Sequence, residues 1–432
     1  MARIARQGKF IAMKNTLTEE LSWRGFVNQS TFNDISELDK QKYRFYWGVD
    51  PSSNSMTVGN LATAMMVRHF IDHGHIPFLL IGGATGLIGD PDGKSEERSI
   101  QSKEQIETNK KAISEQYKRI FAGSKFTLVD NLDWFKDHSY LDFLRDIGKH
   151  VPLSQMIGRD FVQSRLKSEN SGISYAEFSY VMIQAFDFYH LHKEHAVNLQ
   201  VAGSDQWGNS IAGVDLIRRL SGDTAHVFTA PLVVNPQTGV KFGKSEQGAI
   251  WLDPKLTSIT AFYQFWVNSE DEAVEQYLKI FTMLDQAQIE EVMLQQNSEL
   301  KKDRPAQFKL ADEVTALVHG EKQAASARRV TSYLTGNLKI AEASSEDLDS
   351  LRQEIPVIKS SLNSSIIGVL VSSGLAASNT SARQLLGDGA VYINSKRAEK
   401  DYLEASDFTN GRLLIRRGKA FRDSALVELA NA

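Results

Sequence analysis

The sequence predicts a doubly wound α/β domain with a parallel sheet, followed by an α-helical domain and a small α/β domain. Between about residues 40 and 235, short apolar runs typical of strands alternate with helical segments, as expected for parallel strands joined by crossover helices. Polar clusters follow three of these runs, and doubly wound sheets bind ligands at the carboxyl ends of their strands. We therefore predict a Rossmann-like sheet with a ligand site at that edge.

The predicted strands are short and apolar, and the segments between them have helical patterns. Residues from about 100 to 170 are rich in Lys, Glu and Gln, which predicts a mainly helical insertion packed beside the sheet. The five runs that we assign to the sheet are 44–49, 76–81, 126–129, 197–201 and 227–234.

Three further blocks follow the sheet domain, which we place at residues 1–256. Residues 257–340 carry helical periodicity and few strand signals, so we predict an α-helical domain there. Serine, proline and asparagine are frequent in 341–364, which predicts a linker with or without a short helix. Residues 365–432 form the predicted small α/β domain.

Composition narrows the class of protein. The chain has 432 residues, of which 42% are hydrophobic and 24% charged, so it is expected to be a soluble multidomain protein. The absence of cysteine excludes disulfides and thiolate metal ligands. No run of eighteen apolar residues occurs, which predicts no membrane span. The first twelve residues lack the apolar core of a signal peptide, so a cytoplasmic location is expected.

Two loops after predicted strands have the character of phosphate sites. In DPSSNSMTVGN at 50–60, a strand leads into a helix near Gly59, and a helix N-terminus attracts phosphate. The loop GGATGLIGDPDGK at 82–94 is dense in glycine, and Lys94 with Arg98 forms a cationic pair suited to an anionic leaving group. Taken alone, each loop is equally compatible with an ordinary turn.

A predicted helix carries Tyr180, Gln184 and Asp187 on one face, because their spacings are four and three residues. The surroundings of this face are apolar, and a carboxylate buried there needs a partner. A ligand with an ammonium group and a hydroxyl would satisfy the three side chains, although a buried structural network would do so as well.

In GSDQWGN at 203–209, a carboxylate and an amide in a loop after a strand suit a ribose.

The segment KFGKS at 241–245 places Lys241 and Lys244 on either side of a glycine, followed by Ser245. Most lysine pairs on turns are solvated surface features. The order of this segment after the loops described above favours a role in binding a phosphate chain.

These motifs together resemble those of the bacterial tyrosyl-tRNA synthetases, which are class I aminoacyl-tRNA synthetases. The resemblance runs from about residue 17 to the C-terminus. In this family the two signature motifs are named HIGH and KMSKS, and they stand here as TVGN at 57–60 and KFGKS at 241–245. Thr57 and Asn60 thus replace the two histidines of HIGH, and Trp47 stands where the family often has a small residue near the ribose.

The resemblance implies that the chain activates L-tyrosine with ATP, bound together with Mg²⁺, and transfers the tyrosyl group to the 3′ end of tRNA(Tyr). No protein metal site is expected. Positioning and electrostatic stabilisation would drive the first step, with Gly243 allowing the KFGKS loop to close and reopen. The expected donors to the triphosphate are Ser52, Thr57, Asn60, Lys94, Arg98, Lys241, Lys244 and Ser245.

The resemblance also implies how the amino acid is selected. Tyr46 and Asp187 would hold the phenol, so a substrate without the hydroxyl would leave both unpaired. The family is itself the reference case for this effect: it is known to reject phenylalanine by about 10⁵ without editing, so no editing domain is expected. The ammonium would be bound by Asp90, Tyr180 and Gln184, and the carboxylate by Gln206; the adenosine side would contact Gly48, Asp50, Gly59, Gly203 and Asp205, with Asn131 as indirect support.

The C-terminal block resembles an S4-type RNA-binding domain, and family membership further implies a homodimer. The formal net charge of −4 requires a local basic patch for RNA binding. A solvated basic face is the alternative reading. The residues expected to contact tRNA are Arg383, Lys396, Arg397, Arg416, Arg417 and Lys419.

Two other functions stay open at this point. The chain can be a synthetase-like RNA-binding protein with impaired catalysis, a reading that the absence of histidine at Thr57 keeps open and that Lys241 and Lys244 oppose. It can also activate tryptophan on the same fold, although Tyr46 with Asp187 favours a phenol.

Overall fold

The computed structural model of the chain describes residues 15–91, 101–157, 162–163, 173–234, 244–245, 248–418 and 423–430. The chain divides into two compact units. The first contains Met1–Ile250 and Gln276–Thr282, and the second contains Trp251–Glu275 and Met283–Ala432. Residues 276–282 therefore belong with the sheet domain, although the sequence pattern groups them with the helical block that follows.

The first unit alternates strands and helices, as predicted. Its strands are β1 (Gln29–Ser30), β2 (Arg44–Val49), β3 (Ile76–Ile81), β4 (Thr127–Asp130), β5 (Leu199–Gly203), β6 (His226–Ala230), and the hairpin β7 (Lys244–Ser245) and β8 (Gly248–Ala249). Its helices, up to the hairpin, are α1 (Leu17–Arg24), α2 (Glu37–Lys40), α3 (Val58–Asp72), α4 (Thr85–Ile88), α5 (Lys103–Ile120), α6 (Leu132–Phe135), α7 (Tyr140–Asp146), α8 (Leu153–Ile157), α9 (Tyr175–His195) and α10 (Trp207–Ser221).

The main sheet has the doubly wound topology. Its strand order is β1-β6-β5-β2-β3-β4, and every pair except β1 with β6 is parallel. The chain leaves β2 toward β3 on one side, whereas β5 and β6 lie on the other. A topological switch point therefore lies between β2 and β5, which is where such sheets bind ligands.

The pairing of β2 with β5 is short and leaves room at the switch point. Only Phe45 with Leu199 and Tyr46 with Gln200 are in register, whereas β2 continues to Val49 and β5 to Gly203. Both faces of β2 carry buried side chains, including Phe45, Tyr46 and Trp47, as expected for a strand with helices on both faces.

The segment predicted to be mainly helical contains helices and, as predicted for 126–129, a strand of the sheet. Strand β4 pairs in parallel with β3 and forms the far edge of the sheet. Helix α5 precedes it and buries Ile106, Ile113 and Tyr117, and the Tyr117 hydroxyl donates to the Leu80 carbonyl oxygen of β3 at 3.2 Å. The segment is therefore part of the doubly wound architecture on both sides of β4.

The second unit begins with a run of helices. They are α11 (Ile259–Val267), α12 (Val274–Phe281), whose last six residues lie in the first unit, α13 (Gln286–Gln296), α14 (Pro305–His319), α15 (Glu321–Thr335) and α16 (Ser345–Glu354). Buried aromatic side chains such as Phe262, Tyr263 and Trp266 of α11 form part of its core.

The C-terminal part of this unit is a five-stranded sheet with two helices. Its strand order is β11-β10-β12-β13-β9, in which only β13 with β9 is parallel. Its elements are β9 (Val357–Ser360), α17 (Ile366–Ser372), α18 (Asn379–Gly387), β10 (Val391–Ile393), β11 (Lys396–Arg397), β12 (Arg412–Arg417) and β13 (Ser424–Leu429).

The segment expected to be a linker is folded into this unit. Helix α16 and strand β9 occupy most of it. Leu348, Leu351 and Ile355 are buried in one apolar cluster with Leu334 of α15 and Leu426 of β13. Spacings of three and four residues give α16 an apolar face, and this face outweighs the serine and proline content that suggested a linker.

Within the described residues, no helix combines the length and apolar character that crossing a membrane requires.

Candidate active site

A cavity of about 310 Å³ opens at the carboxyl ends of β2 and β5. It lies within the first unit and brings together the residues that the sequence assigned to tyrosine and to the adenosine. Those of its lining residues that were predicted are Tyr46, Gly48, Asp50, Thr57, Gly59, Asn60, Asp90, Tyr180, Gln184, Asp187, Gly203, Asp205 and Gln206.

The buried end of the cavity, which we define by Tyr46, Gln184 and Asp187, holds a carboxylate out of water. Asp187 is 2% exposed, and its two oxygens accept hydrogen bonds from Asn131 Nδ2 at 3.1 Å and Trp134 Nε1 at 2.9 Å. Burial raises the pKa of Asp187 to about 8, against the opposing effect of these two donors. The carboxyl is therefore kept largely protonated at neutral pH.

Three buried polar atoms of cavity-lining residues have no hydrogen-bond partner within the described part of the chain. They are the Tyr46 hydroxyl, Gln184 Oε1 and Gln200 Oε1. Burial and the nearby Asp187 carboxyl also raise the pKa of the Tyr46 hydroxyl, which stays protonated. An unpaired buried polar atom costs about 1–3 kcal/mol, so these atoms point to a polar ligand that pairs with them.

A hydrogen-bond network fixes the buried end from behind. Asn131 Oδ1 accepts from the Ala84 N–H at 2.6 Å, and Asn131 Nδ2 also donates to Thr85 Oγ1 at 3.0 Å. Thr85 in turn donates to one oxygen of Asp50 at 2.6 Å, and the Tyr180 hydroxyl donates to the other at 2.8 Å. Asn131 thus connects the Asp187 carboxyl to the loop that follows β3.

Glycine is required where the second loop meets this network. A Cβ atom on Gly82 would lie 2.2 Å from both Asp50 Oδ1 and Thr85 Oγ1, a distance at which the network could not form. Glycine at this position is therefore explained by close approach of the backbone to side chains.

The wall beside β5 holds an amide and carboxylates. Gln206 Nε2 donates to Asp90 Oδ2 at 2.6 Å, and Asn209 Nδ2 donates to Gln206 Oε1 at 3.2 Å. Gly203 lies so close to Asp205 that an added Cβ atom would be 2.6 Å from its Oδ1. The loop therefore presents oriented polar groups to the cavity beside a bare stretch of backbone.

The helix end of the cavity, which we define by Thr57, Gly59 and Asn60, is the N-terminus of α3. Asn60 Oδ1 accepts from the Thr57 N–H at 3.0 Å and from the Thr57 hydroxyl at 3.1 Å. The first N–H of the helix, from Val58, donates to the Ile250 carbonyl oxygen at 3.1 Å. Thr57 and Asn60 are half-buried, so this end is more open to water than the buried end.

The same contact brings the β7–β8 hairpin close to α3. Lys244 pairs with Ala249 in the hairpin of β7 and β8, and the residue after the hairpin is Ile250, which caps α3. The backbone of Lys244 and Ser245 is described, whereas their side chains, and Lys94, Arg98 and Lys241 altogether, lie outside the described residues.

Ser52 differs from Thr57 and Asn60, the other predicted donors whose side chains are described. It is exposed and is not among the residues that line the cavity. Its N–H donates to the Asp50 carbonyl oxygen at 2.8 Å, and its own carbonyl oxygen accepts from Gln101 Nε2 at 2.7 Å. Its backbone therefore helps to shape the loop that follows β2.

Helix α5 holds that loop with buried amides that sequence reasoning missed. Asn109 Nδ2 donates to the Pro51 carbonyl oxygen at 2.9 Å. Gln116 Oε1 accepts from the Met56 N–H at 2.8 Å, and its Nε2 donates to Ser55 Oγ at 2.9 Å. Asn109 and Gln116 are 1% and 3% exposed, and polar residues on the apolar face of an amphipathic helix were the available signal.

Trp134 and Gln200 were also missed. Gln200 is the polar residue in the middle of an apolar strand, which is a recognisable signal because buried amides need partners. Trp134 carries no such signal, since tryptophan in a helix is ordinarily a packing residue. Only its indole N–H to Asp187 reveals its part in the site.

The basic residues predicted to bind RNA lie on the C-terminal sheet and helices, but not all are free. Arg416 donates to the Leu334 carbonyl oxygen at 3.1 Å and lies over the Tyr392 ring. Arg417 donates to the Leu375 carbonyl oxygen and to Asp423. Arg397 is exposed and donates to the Asp388 carbonyl oxygen; Arg383 and Lys396 are exposed, and Lys419 lies outside the described residues.

Among the residues whose side chains are described, no group of three or more His, Cys, Asp or Glu side chains is arranged to hold a metal ion.

Two family models match the chain. Residues 38–334 match the class I tRNA synthetases for tryptophan and tyrosine, and residues 347–421 match the C-terminal domain of tyrosine–tRNA ligases of the SYY type. The second match begins inside α16, in agreement with the folded state of the segment expected to be a linker.

Two similar proteins are both named tyrosine–tRNA ligase. The tyrosine–tRNA ligase of Staphylococcus haemolyticus is 43% identical over 418 residues, which cover 94% of this chain and 98% of that protein. That of Staphylococcus epidermidis is 43% identical over 420 residues with the same coverage.

Solved structures agree with these relatives. The C-terminally truncated mitochondrial tyrosyl-tRNA synthetase of Aspergillus nidulans has a TM-score of 0.67 at 30% identity, covering 75% of this chain and 95% of that one. The corresponding protein of Coccidioides posadasii has a TM-score of 0.64 at 31% identity, covering 74% and 92%. The fold class and the family resemblance are thus confirmed, and the chain belongs to the tyrosine–tRNA ligases, a family of class I aminoacyl-tRNA synthetases.

Proposed function

We propose that this chain binds L-tyrosine in the buried end of the cavity and ATP toward the helix end, forms tyrosyl-adenylate, and passes the tyrosyl group to tRNA(Tyr). The observation that carries the assignment of tyrosine is the unpaired Tyr46 hydroxyl beside Asp187. A phenol can donate to the Asp187 carboxylate and accept from Tyr46, so it satisfies both groups with one oxygen. Neither phenylalanine nor the indole of tryptophan can do so.

The amino-acid backbone of the substrate is assigned to cavity residues other than Tyr46 and Asp187. Asp90, Tyr180 and Gln184 offer oxygen atoms to an ammonium group, and the Gln184 Oε1 atom has no partner in the described part of the chain. Gln206 is oriented by its bond to Asp90 and supplies the amide nearest to the expected carboxylate.

The adenosine is assigned to the crevice between β2 and β5. Gly48 and Gly203 offer bare backbone there, while Asp50 and Asp205 offer carboxylates for hydroxyl groups. The oxygens of Asp50 already accept from Thr85 and Tyr180, so we assign to it mainly the task of fixing these neighbours. Gly59 and Asn60 lie where the phosphates would reach the N-terminus of α3.

The reaction is a displacement at phosphorus. An oxygen of the tyrosine carboxylate attacks the α-phosphorus of ATP, the bond to the bridging oxygen breaks, and pyrophosphate leaves with Mg²⁺, which enters with the nucleotide as part of the substrate. No proton transfer and no covalent enzyme intermediate are needed, so the protein acts by positioning and by neutralising charge. Lys94, Arg98, Lys241, Lys244 and Ser245 are proposed as the donors to the leaving group.

The closeness of the β7–β8 hairpin to α3 supports this role for Lys244. The second step transfers the tyrosyl group from the adenylate to a ribose hydroxyl at the 3′ end of tRNA, with AMP as the leaving group. We assign tRNA contact to the exposed cations of the C-terminal sheet and helices, foremost Arg383, Lys396 and Arg397, since phosphate contacts need accessible charge.

We further propose a cytoplasmic homodimer. Tyr140, Leu141 and Tyr175 are 61%, 75% and 59% exposed, and the Tyr140 and Tyr175 hydroxyls lie 3.1 Å apart, so an apolar surface is available on the first unit. Leu141→Glu should convert the dimer to a monomer in sedimentation equilibrium; an unchanged dimer would place the interface elsewhere. We propose functional domains at 1–256, 257–340 and 365–432, with the segment 341–364 packed against the last two.

Exchange of pyrophosphate into ATP tests the activation step. We expect exchange that depends on tyrosine and is saturable, with phenylalanine and tryptophan giving none at the same concentration. No exchange at saturating tyrosine would instead support a chain with impaired catalysis that binds RNA, and exchange with tryptophan alone would support the other substrate. Tyr46→Phe is the matched variant: it removes only the unpaired hydroxyl and should weaken tyrosine binding while leaving the binding of ATP unchanged.

A further inference from the structure

Thr57 directs both of its donors at a single atom. Its backbone N–H lies 3.0 Å and its hydroxyl 3.1 Å from Asn60 Oδ1. A backbone N–H can only donate, so the amide atom that faces it must be the oxygen. The N–H therefore sets which way the Asn60 amide faces, and the hydroxyl adds a second hydrogen bond that holds the side chain in that position.

This orientation decides what Asn60 offers to a ligand. With Oδ1 held by Thr57, the Nδ2 group is the part of the side chain that can donate into the cavity, whose wall includes both residues. The flipped amide would present its oxygen instead, and an oxygen repels an anionic phosphate. A donor that is already oriented also costs no reorganisation when charge develops on the ligand.

We propose that Thr57 is a positioning residue, which holds Asn60 so that Asn60 Nδ2 donates to the phosphate chain of ATP, and that Thr57 itself does not contact the substrate. The inference rests on the proposed function and changes the role of Thr57, which the sequence had suggested as a direct donor. The Thr57 hydroxyl and the Asn60 amide are bonded to each other. Together they supply a neutral donor at the helix end, and its direction is set before ATP binds.

Four proteins test the proposal: Thr57→Val, Thr57→Ser, Asn60→Ala and the double variant Thr57→Val with Asn60→Ala. The rate of adenylate formation and the Kd for ATP are measured in single turnovers, and the Kd for tyrosine is measured alongside. Loss of one neutral hydrogen bond corresponds to about fivefold, so Thr57→Val should lower the rate by about threefold to tenfold. Thr57→Ser keeps the hydroxyl and should restore the rate.

The double variant separates positioning from direct contact. If Thr57 acts through Asn60, the change to valine costs nothing further once Asn60 is alanine, so the double variant should match Asn60→Ala. Equal fold-losses from Thr57→Val in both backgrounds would overturn the proposal, as would a wild-type rate in Thr57→Val. The Kd for tyrosine should stay within twofold in all four proteins; a parallel loss there would show a general structural defect and overturn the assigned role.

Failure of the proposed function is recognised independently. In that case the wild-type protein itself forms no adenylate from tyrosine and ATP, whereas a failure of the present inference leaves wild-type activity intact. Thermal unfolding of each variant monitors the N-terminal cap of α3, since a valine at this position also removes a capping residue. A Thr57→Val protein that unfolds like the wild type but forms adenylate slowly is the result expected.

Discussion

The buried end and the helix end of the cavity differ in the charge and burial of their side chains. At the buried end, a carboxyl that is 2% exposed is held by an amide and an indole, and burial raises its pKa to about 8. At the helix end, the described side chains of Thr57 and Asn60 are neutral, half-buried and bonded to each other. Under the proposed function, one end recognises the substrate and the other accepts charge that develops during the reaction.

The free-energy cost of burying charged and polar groups explains why the two ends of the cavity differ. Burying a carboxyl costs free energy. Because the substrate must supply the hydrogen-bond partner of this carboxyl, a substrate without the hydroxyl loses binding free energy. Stabilising the charge of a phosphate does not require a buried carboxyl, because oriented neutral donors and nearby cations stabilise this charge directly. Each end is therefore open to a separate test.

The largest effect is expected from Asp187→Ala. The variant removes the acceptor for the phenol and leaves the donors of Asn131 and Trp134 without their partner. We expect the preference for tyrosine over phenylalanine to fall by about 10³-fold, which is part of the roughly 10⁴- to 10⁵-fold discrimination of buried hydrogen-bonding sites. Pyrophosphate exchange with each amino acid measures this ratio.

Asp133→Ala is the matched control for that variant. Its carboxylate is 69% exposed and belongs to the same short helix as Trp134, so its loss should leave the ratio unchanged. Unaltered tyrosine preference in Asp187→Ala would show that the buried end does not read the phenol.

The next largest effect is expected from Lys244→Ala. A cation that contacts the leaving pyrophosphate acts mainly in the transition state, so its loss should lower the rate of adenylate formation by about 10²-fold. The Kd for tyrosine should change by less than about twofold, because we assign the lysine to the other end. Lys118→Ala, an exposed lysine of α5, is the control; equal losses in rate and in tyrosine binding would contradict the division.

A smaller effect should follow from pH. The phenol donates to the ionised form of Asp187, whereas the free protein holds the carboxyl protonated below about pH 8. Tyrosine must then displace a proton, so its Kd should fall as pH rises from 6 to 8, by at most about tenfold per unit, and level off above. Phenylalanine shares the ammonium but lacks the hydroxyl, so the ratio of the two Kd values isolates Asp187; a ratio independent of pH would contradict the assignment.

The same group has a consequence for folding. Its folded pKa of about 8 lies above the ordinary value of 3.8, so the folded protein binds more protons than the unfolded chain between these values. The contribution of Asp187 to stability is greatest below pH 4 and is lost as pH rises through 8. Thermal unfolding of Asp187→Asn should therefore depend less on pH across this window than unfolding of the wild type.

The smallest effect is expected from Gln116→Met. The amide of Gln116 holds the Met56 N–H and Ser55 Oγ from behind the loop that leads to α3. Its loss should slow adenylate formation by about fivefold, as expected for one net hydrogen bond, with the Kd for tyrosine unchanged. A change confined to tyrosine binding would connect α5 to the buried end instead.

Sequence patterns predicted the sheet well because apolar strands and crossover helices are local signals. They also predicted that Tyr180, Gln184 and Asp187 lie on one face of a helix, because residue spacing along a helix is regular. All three line the cavity. They missed Trp134, whose role depends on a contact across 53 positions, and Gln116, whose partners lie on another element. They misjudged 341–364, where the apolar face of α16 finds partners in distant segments, and they could not tell that Arg416 and Arg417 are partly engaged in tertiary contacts.

The division between the two ends is tested most directly by single-turnover formation of tyrosyl-adenylate as a function of tyrosine concentration, in Asp187→Ala and Lys244→Ala side by side. The concentration dependence gives the tyrosine affinity and the plateau gives the rate. We predict that Asp187→Ala weakens affinity for tyrosine far more than it lowers the plateau, and that Lys244→Ala lowers the plateau with little change in affinity. Proportional losses of affinity and plateau in both variants would contradict the account.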